Sequence, residues 1–203
     1  MLHTQTIQPK LLELLKKIMA SDVFEAFNLV GGTSLALQIG HRHSVDIDMF
    51  GTSEINEIEF VQQLSNFGSV SIIKKSPNII IFSIDGIKVD FVNYKYPLLD
   101  TIKHIDGIRL VSDKDIAAMK LNAIAGRGSK KDFIDLYFLL KKYSLQEMIS
   151  FYNSKYSDGS EFMVLKSLTF FDDAEQEEMP IMFENIDWNT IKEEILLAEK
   201  KLI

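Results

Sequence analysis

Residues 29–50 read LVGGTSLALQIGHRHSVDIDMF, and this stretch carries the pattern that decides the fold. A short apolar segment leads into Gly31 and Gly32, and residues with helical spacing follow. A glycine turn that opens a helix presents free backbone N–H groups and the positive end of the helix dipole, which together suit a phosphate group. The stretch therefore predicts a phosphate-binding turn between a strand and a helix.

A second strand is predicted after this helix, and it carries Asp46 and Asp48. Because side chains alternate across a strand, we expect the two carboxylates on one face and Val45, Ile47 and Met49 directed to the core. Two carboxylates on one face repel each other unless a cation lies between them. Taken alone, a Gly-Gly pair is more typical of a tight turn, and D-x-D of a solvated strand edge. Together they predict metal-dependent phosphoryl or nucleotidyl transfer.

The pattern G-G-T-x-L-A-L-x-x-G-H-R-x-S-x-D-I-D in residues 31–48 resembles a known family. It is similar to the nucleotidyltransferase-like toxins of abortive-infection (AbiEii/AbiGii-type) toxin–antitoxin systems, within the polymerase-β-type nucleotidyltransferase superfamily. The resemblance implies that Asp46 and Asp48 hold the catalytic metal. It also implies that the nucleotide is bound by Gly31, Gly32, Thr33 and Arg42.

A third carboxylate, Asp90, lies in the segment IKVDFVNYKYP of residues 87–97, which resembles the family's K-x-D segment. Strand alternation puts Lys88, Asp90 and Val92 on one face, opposite Val89 and Phe91. The resemblance implies that Asp90 joins the other two acids as a metal-binding and catalytic carboxylate. The alternative is that Asp90 is an exposed acid that faces Lys88.

The second signature of the family, K-x-x-A-x-x-x-R-G-x-x-K-D-x-x-D-L, is similar to residues 120–136. Lys131 is predicted in the first turn of a helix, where the helix dipole disfavours a cation, and a bound phosphate would resolve that conflict. Lys120, Arg127 and Lys131 are therefore predicted phosphate contacts. Asp132 is predicted to cap the helix or to support the nucleotide site, and Asp135 is placed to pair with Lys131.

Composition describes an ordinary globular protein of 203 residues with a net charge of −7 and no cysteine, which fits a cytoplasmic location. The N-terminus lacks the continuous apolar run of a membrane span. Charge is uneven, since residues 101–142 carry 9 basic and 5 acidic side chains. That basic segment is compatible with a polyanion such as RNA, and equally with lysines that coat solvated helices.

The predicted fold class is α/β (α+β). A small mixed β-sheet, with an N-terminal helix, is expected to form a nucleotidyltransferase core in residues 1–100. A helical C-terminal region, residues 101–203, is expected to close one side of a cleft. The predicted elements of the core after the D-x-D strand are a helix at residues 54–66 and strands at residues 69–74, 78–84 and 86–94, whereas residues 96–107 resemble a linker with one short strand or turn.

The resemblance implies a nucleotidyltransferase that uses Mg²⁺ (or Mn²⁺) to transfer NMP from an NTP to an acceptor. The family includes toxins that add nucleotides to tRNA ends and are neutralised by an antitoxin, so the resemblance implies an RNA (tRNA) acceptor and a cognate antitoxin protein as the partner. No membrane partner is expected. Two alternatives stay open, namely nucleotidylylation of a protein by the same site and a nucleotide-binding module without catalysis.

Overall fold

The computed structural model describes residues 1–202, which divide into two compact units. The first contains Met1–Lys95 with Ile102–Val111, and the second contains Tyr96–Thr101 with the chain from Ser112 onward. The first unit is a mixed β-sheet with helices and the second is helical, which confirms the predicted α/β fold class. None of the helices in residues 1–202 is both long and apolar enough to cross a membrane.

The sheet of the first unit has the strand order β3-β4-β5-β2-β1-β7-β6. Its strands are β1 Phe27–Leu29, β2 Ile47–Gly51, β3 Val70–Ser76, β4 Ile79–Ile84, β5 Ile87–Asn93, β6 Lys103–Ile105 and β7 Ile108–Leu110. The pairs β2–β5 and β1–β7 are parallel, and the remaining pairs are antiparallel. Three helices complete this unit, α1 Pro9–Ala20, α2 Gly31–Ile39 and α3 Glu57–Leu64, together with 3-10 turns at Thr4–Thr6 and Asp22–Phe24.

The main sequence-predicted elements of this unit are present, with shifted ends. The helix predicted at residues 54–66 is α3, and the three strands predicted from residue 69 onward are β3, β4 and β5. Strands β6 and β7 lie in and just after the segment predicted as a linker. Each has three residues, too few for period-two alternation to be visible in the sequence.

An aromatic cluster fills the core on one face of the sheet. The ring of Phe91 on β5 lies 4.9 Å from Phe24, 5.4 Å from Phe27, 5.0 Å from Phe60 and 6.2 Å from Phe82, measured between centroids. Burying one such ring stabilises a fold by about 2–3 kcal/mol. Because this face takes the odd-numbered residues of β2 and β5, their even-numbered residues lie on the other face.

The helices of the second unit are α4 Asp113–Gly126, α5 Lys130–Leu140, α6 Leu145–Lys155, α7 Glu161–Leu168, α8 Asp172–Glu175 and α9 Trp188–Lys200. Ser112 caps α4 by accepting a hydrogen bond from the backbone N–H of Asp115. A buried ion pair joins Lys155 Nζ to Asp115 Oδ1 at 2.7 Å, and Lys155 also donates to the carbonyl of Pro97. This pair fastens the segment Tyr96–Thr101 to the helices of its own unit.

Candidate active site

Asp48 on β2 and Asp90 on β5 are cross-strand partners in the parallel pair. Ile47, Met49, Val89 and Phe91, which flank the two acids, are fully buried in the core. Alternation therefore sends both carboxylates to the opposite face, where they are part-exposed. The structure thus brings together two acids that are 42 residues apart in the sequence.

Asp46 precedes β2, which begins at Ile47. The expectation that Val45 points into the core was wrong, because its side chain is 53 % exposed. Alternation applies only within a strand, and Val45 and Asp46 lie in the irregular segment before it. The carbonyl of Asp46 accepts a hydrogen bond from the Thr33 hydroxyl, which ties the start of the acidic strand to α2.

Lys88 is a central contact of the acidic face. Its Nζ lies 2.6 Å from Asp90 Oδ2. Burial lowers the pKa of Lys88, but the hydrogen bond to Asp90 and the charges of Asp90, Asp48 and Asp46 outweigh burial and raise it overall. The charges of all three predicted acids therefore raise the pKa of one ammonium group.

Gly31 opens α2 with φ +68°, in the left-handed region. A Cβ on this residue would lie 2.5 Å from Asp48 Oδ2, well inside van der Waals contact. The backbone N–H of Val30 donates to the Asp48 carbonyl at 2.9 Å, which fixes the approach of the two segments. Glycine is needed here for its backbone conformation and for the close approach of the carboxylate.

The absence of a side chain at Gly32 leaves room for Arg42, because a Cβ there would collide with the guanidinium group. Arg42 is buried, and its Nη1 donates to the carbonyl of His43 at 2.9 Å. Thr33 is also buried, with its Oγ1 2.8 Å from Ser44 Oγ. The side chains of Thr33 and Arg42 thus fix the turn between α2 and β2.

The first backbone N–H groups of α2 belong to Gly31, Gly32 and Thr33. The first N–H groups of a helix have no carbonyl partner inside the helix. The N-cap residue is Val30, whose apolar side chain cannot accept a hydrogen bond. This helix end therefore has donors suited to an anion, beside the acids of β2.

A second set of predicted residues forms an ion-pair network within the helical unit. Lys120 Nζ lies 2.9 Å from Asp132 Oδ1 and 2.6 Å from Asp135 Oδ2, and all three side chains are buried. The pairing predicted between Asp135 and Lys131 was wrong, since Asp135 bonds Lys120 on the neighbouring helix. Sequence spacing along one helix gives no information about a partner on another.

Arg127 and the hydroxyl of Ser129 also bond Asp132, at 2.8 Å each. Burial raises the pKa of Asp132, but Lys120 and Arg127 outweigh it and lower that pKa to about 2. Asp132 therefore connects the C-terminal end of α4 to the first turn of α5. Ser129 is the N-cap residue of α5 but its side chain makes no capping bond to the helix backbone, so the bond to Asp132 joins two side chains.

Lys131 lies in the first turn of α5, as predicted, and is exposed. The other eight lysines and arginines of residues 101–142 contact acids or carbonyl oxygens: Lys103, Arg109, Lys114, Lys120, Arg127, Lys130, Lys141 and Lys142. The segment is therefore less open to a polyanion than its sequence charge indicates.

The acidic face fits a divalent metal in its chemistry. Asp90 Oδ1 is buried and has no hydrogen-bond partner within the described chain, so it retains a free lone pair for a cation. Carboxylate oxygens are the ligands that magnesium prefers. Among residues 1–202, no three acidic or histidine side chains already lie close enough together to hold an ion.

A sequence profile described as nucleotidyl transferase AbiEii toxin, type IV toxin–antitoxin system, matches residues 13–99 and 81–201. The chain belongs to this AbiEii family. A relative from Aquifex aeolicus (strain VF5), an uncharacterised protein, is 39 % identical over 189 residues, which cover 89 % of this chain and 90 % of the relative. Membership of this family confirms the predicted resemblance. The chain is a nucleotidyltransferase toxin of the AbiEii type.

Two solved structures are similar to this chain in fold. MenT4, the nucleotidyltransferase toxin Rv2826c of Mycobacterium tuberculosis H37Rv, has a TM-score of 0.60 at 13 % identity, over 94 % of this chain and 81 % of MenT4. JHP933 of Helicobacter pylori has a TM-score of 0.55 at 18 % identity, over 95 % of this chain and 90 % of JHP933. At these identities the likeness establishes the fold alone.

Two contacts of the site were not assigned from the sequence. Ser44 bonds the Thr33 hydroxyl, and its place as the serine of the pattern G-H-R-x-S-x-D-I-D was the available signal. Lys88 was noted only as a facing charge, although its position two residues before Asp90 places both on one face of β5. That spacing was the available signal for Lys88.

Proposed function

We propose that this AbiEii-family chain is a metal-dependent nucleotidyltransferase that transfers NMP from an NTP to the end of an RNA, with tRNA as the acceptor class. The observation that carries the proposal is the opposition of Asp48 and Asp90 beside the glycine turn of α2. Asp46 completes the acidic set through its charge on Lys88.

Asp46, Asp48 and Asp90 are the residues that would hold Mg²⁺ (or Mn²⁺). Bound there, the metal neutralises phosphate charge and lowers the pKa of the attacking hydroxyl. Asp90 is the proposed acceptor of that hydroxyl's proton, supported by its buried Oδ1, which has no hydrogen-bond partner among the described residues. Lys88 holds the other oxygen of the same carboxylate and so fixes its orientation.

The reaction forms one bond and breaks another at the α-phosphorus. The hydroxyl oxygen of the acceptor attacks that phosphorus, the bond to the bridging oxygen breaks, and pyrophosphate leaves with the bonding electrons. The backbone N–H groups at the start of α2 are the proposed donors to the triphosphate. Arg42 fixes that turn. In the helical unit, the predicted phosphate contacts are Lys120, Arg127 and Lys131, and Asp132 is the predicted supporting residue.

The acceptor and the partner rest on family membership. The family description names a type IV toxin–antitoxin system, so we propose a cognate antitoxin as the partner and the cytoplasm as the compartment. Within residues 101–142, the exposed Lys131 is a candidate contact for an RNA phosphate. Protein nucleotidylylation uses the same acidic site and is distinguished by the acceptor alone.

The test incubates the purified protein with magnesium, each α-labelled NTP in turn and total RNA. The double variant Asp46→Ala, Asp48→Ala is compared with Glu59→Gln, which alters an exposed acid on α3. Label on RNA that disappears in the double variant and persists in Glu59→Gln supports the proposal. Label on protein would move the assignment to nucleotidylylation, and nucleotide binding without transfer from any NTP would contradict an enzymatic role.

A further inference from the structure

Phe50 lies on the same sheet face as Asp48. The two residues are two positions apart on β2, and exposure alternates along this strand, with Ile47, Met49 and Gly51 buried between part-exposed residues. Two strand residues span about 6.6 Å. An aromatic ring therefore lies one pleat repeat from a predicted catalytic carboxylate.

Tyr94 extends the same face from β5. Its backbone N–H donates to the carbonyl of Gly51 at 2.6 Å, which prolongs the parallel ladder beyond the end of β5. Its ring lies 4.9 Å from that of Phe50, between centroids, at an interplanar angle of 47°. The two rings therefore form one aromatic surface at the carboxyl ends of the two strands that carry Asp48 and Asp90.

The hydrophobic core does not account for this pair. The core cluster of the first unit is built on the other face, from residues that include Phe27, Met49 and Phe91. Phe50 and Tyr94 each remain part-exposed, whereas Phe91, which is paired with Met49 and faces the core, is fully buried. A half-open pair of rings beside an acidic site is a surface that a planar ligand can cover.

We propose that Phe50 and Tyr94 form a stacking platform for a nucleobase at the transfer site. This inference rests on the proposed nucleotidyl transfer, because it takes Asp48 and Asp90 as the groups that handle phosphate. In a nucleotide, one ribose separates the base from the phosphates. Phe50 likewise lies two strand residues beyond Asp48, and the ring of Tyr94 lies beside that of Phe50. Stacking accepts every base, since every base has a π-face.

The base has two sources, the donor NTP and the terminal nucleotide of the acceptor RNA. The test uses Phe50→Leu and Tyr94→Leu, which keep apolar volume and remove the aromatic face, and Phe50→Tyr and Tyr94→Phe, which keep it. Phe162→Leu is the matched control, since Phe162 is 72 % exposed in the helical unit. Equilibrium binding is measured for ATP, for inorganic triphosphate and for a short RNA oligonucleotide, with circular dichroism to verify folding.

If the donor base stacks here, each leucine variant weakens ATP binding about tenfold and leaves triphosphate binding unchanged. If the acceptor base stacks here, the loss of about tenfold falls on RNA binding instead. The aromatic-for-aromatic variants and Phe162→Leu bind as the wild type does in both cases. These are binding measurements, so they stand even where no transfer is detected.

The proposal is overturned if both leucine variants bind ATP and RNA as the wild type does. It is also overturned if ATP and triphosphate binding fall by the same factor, because the rings would then only support the acidic face. Where a leucine variant fails to fold, a methionine at the same position replaces it, because methionine also keeps apolar volume and removes the aromatic face, and the same outcomes then decide.

Discussion

Asp48 and Asp90 lie directly opposite each other on the parallel strands β2 and β5. Like charges at opposed positions destabilise a sheet, by up to about 1 kcal/mol. The pair therefore lowers the stability of the sheet unless a cation compensates, and the ammonium group of Lys88 contacts one of the two carboxylates. In this account a divalent metal relieves the same repulsion.

Lys88→Met removes that compensating charge. We expect the free energy of unfolding to fall by about 1 kcal/mol or less, because Lys88 is 41 % exposed and solvent screens the pair. Added magnesium is expected to raise the Tm of this variant more than that of the wild type. Lys75→Met, which breaks the exposed Lys75–Glu57 pair, is the control. Equal magnesium shifts in all three proteins would contradict a cation site at these acids.

Gly31→Ala tests the close approach to Asp48. The variant adds strain at φ +68° and a contact of 2.5 Å with the carboxylate, so it should lose both stability and transfer activity. Gly86→Ala is a matched control, because Gly86 has φ +85° and nothing lies within 4 Å of an added Cβ. The backbone strain of about 1–2 kcal/mol is common to both variants.

Thermal denaturation and a transfer assay on the two glycine variants separate strain from displacement of the carboxylate. Gly86→Ala should lose stability and retain activity. If Gly31→Ala also retained full activity, the fit between this glycine and Asp48 would have no part in the reaction.

Asp132 makes part of the stability depend on pH. Its pKa is about 2 in the folded protein, below the ordinary value of 3.8, so the folded state favours the ionised form. The resulting stabilisation, about 2 kcal/mol, is fully present above pH 4 and is lost as the pH falls towards about 2. Urea unfolding of the wild type should show this loss.

Asp132→Asn should remove that acid-dependent loss and lower stability at pH 7 by about 3 kcal/mol, because Lys120 would keep one fewer buried partner. The exposed Asp173→Asn serves as the control. An Asp132→Asn protein as stable as the wild type at pH 7 would show that the network contributes nothing to the fold.

Substitutions of Lys120 and Lys131 are expected to change different properties, namely protein stability for Lys120 and RNA binding for Lys131. Lys131→Ala should leave the Tm unchanged because the Lys131 side chain is exposed. If Lys131 contacts an RNA phosphate, the variant binds RNA more weakly, and the slope of the logarithm of the binding constant against the logarithm of the salt concentration becomes shallower by about 1. Lys120→Ala removes a buried cation that contacts two buried carboxylates, Asp132 and Asp135, and should destabilise the protein by about 3 kcal/mol. RNA affinity of Lys131→Ala equal to that of the wild type at every salt concentration would remove Lys131 from the binding set.

The sequence was informative where a short-range rule decides the outcome. Strand alternation is local, so it placed Asp48 and Asp90 on the faces that the structure shows. It failed at Val45, which lies just outside β2. Alternation alone does not show at which residue a strand begins.

Contacts between residues on different helices or strands could not be predicted from the spacing of residues in the sequence. The partner of Asp135 is Lys120, on a different helix, and helical spacing indicated Lys131 instead. Likewise, the opposition of Asp48 to Asp90 depends on strand register, which is set by packing of Phe91 and its neighbours. Such contacts become visible only when the elements are placed in space.

The role of Asp48 and Asp90 as the catalytic pair can be tested by the rate of NMP transfer in Asp48→Asn and Asp90→Asn, with Glu59→Gln as the control for an exposed acid. Asparagine keeps the shape of each side chain and removes its charge. We expect the rate to fall by at least about 100-fold in each of the two variants, with the control at the wild-type rate. Wild-type transfer by either variant, with folding verified, would contradict the assignment of the Asp48–Asp90 pair as the catalytic centre.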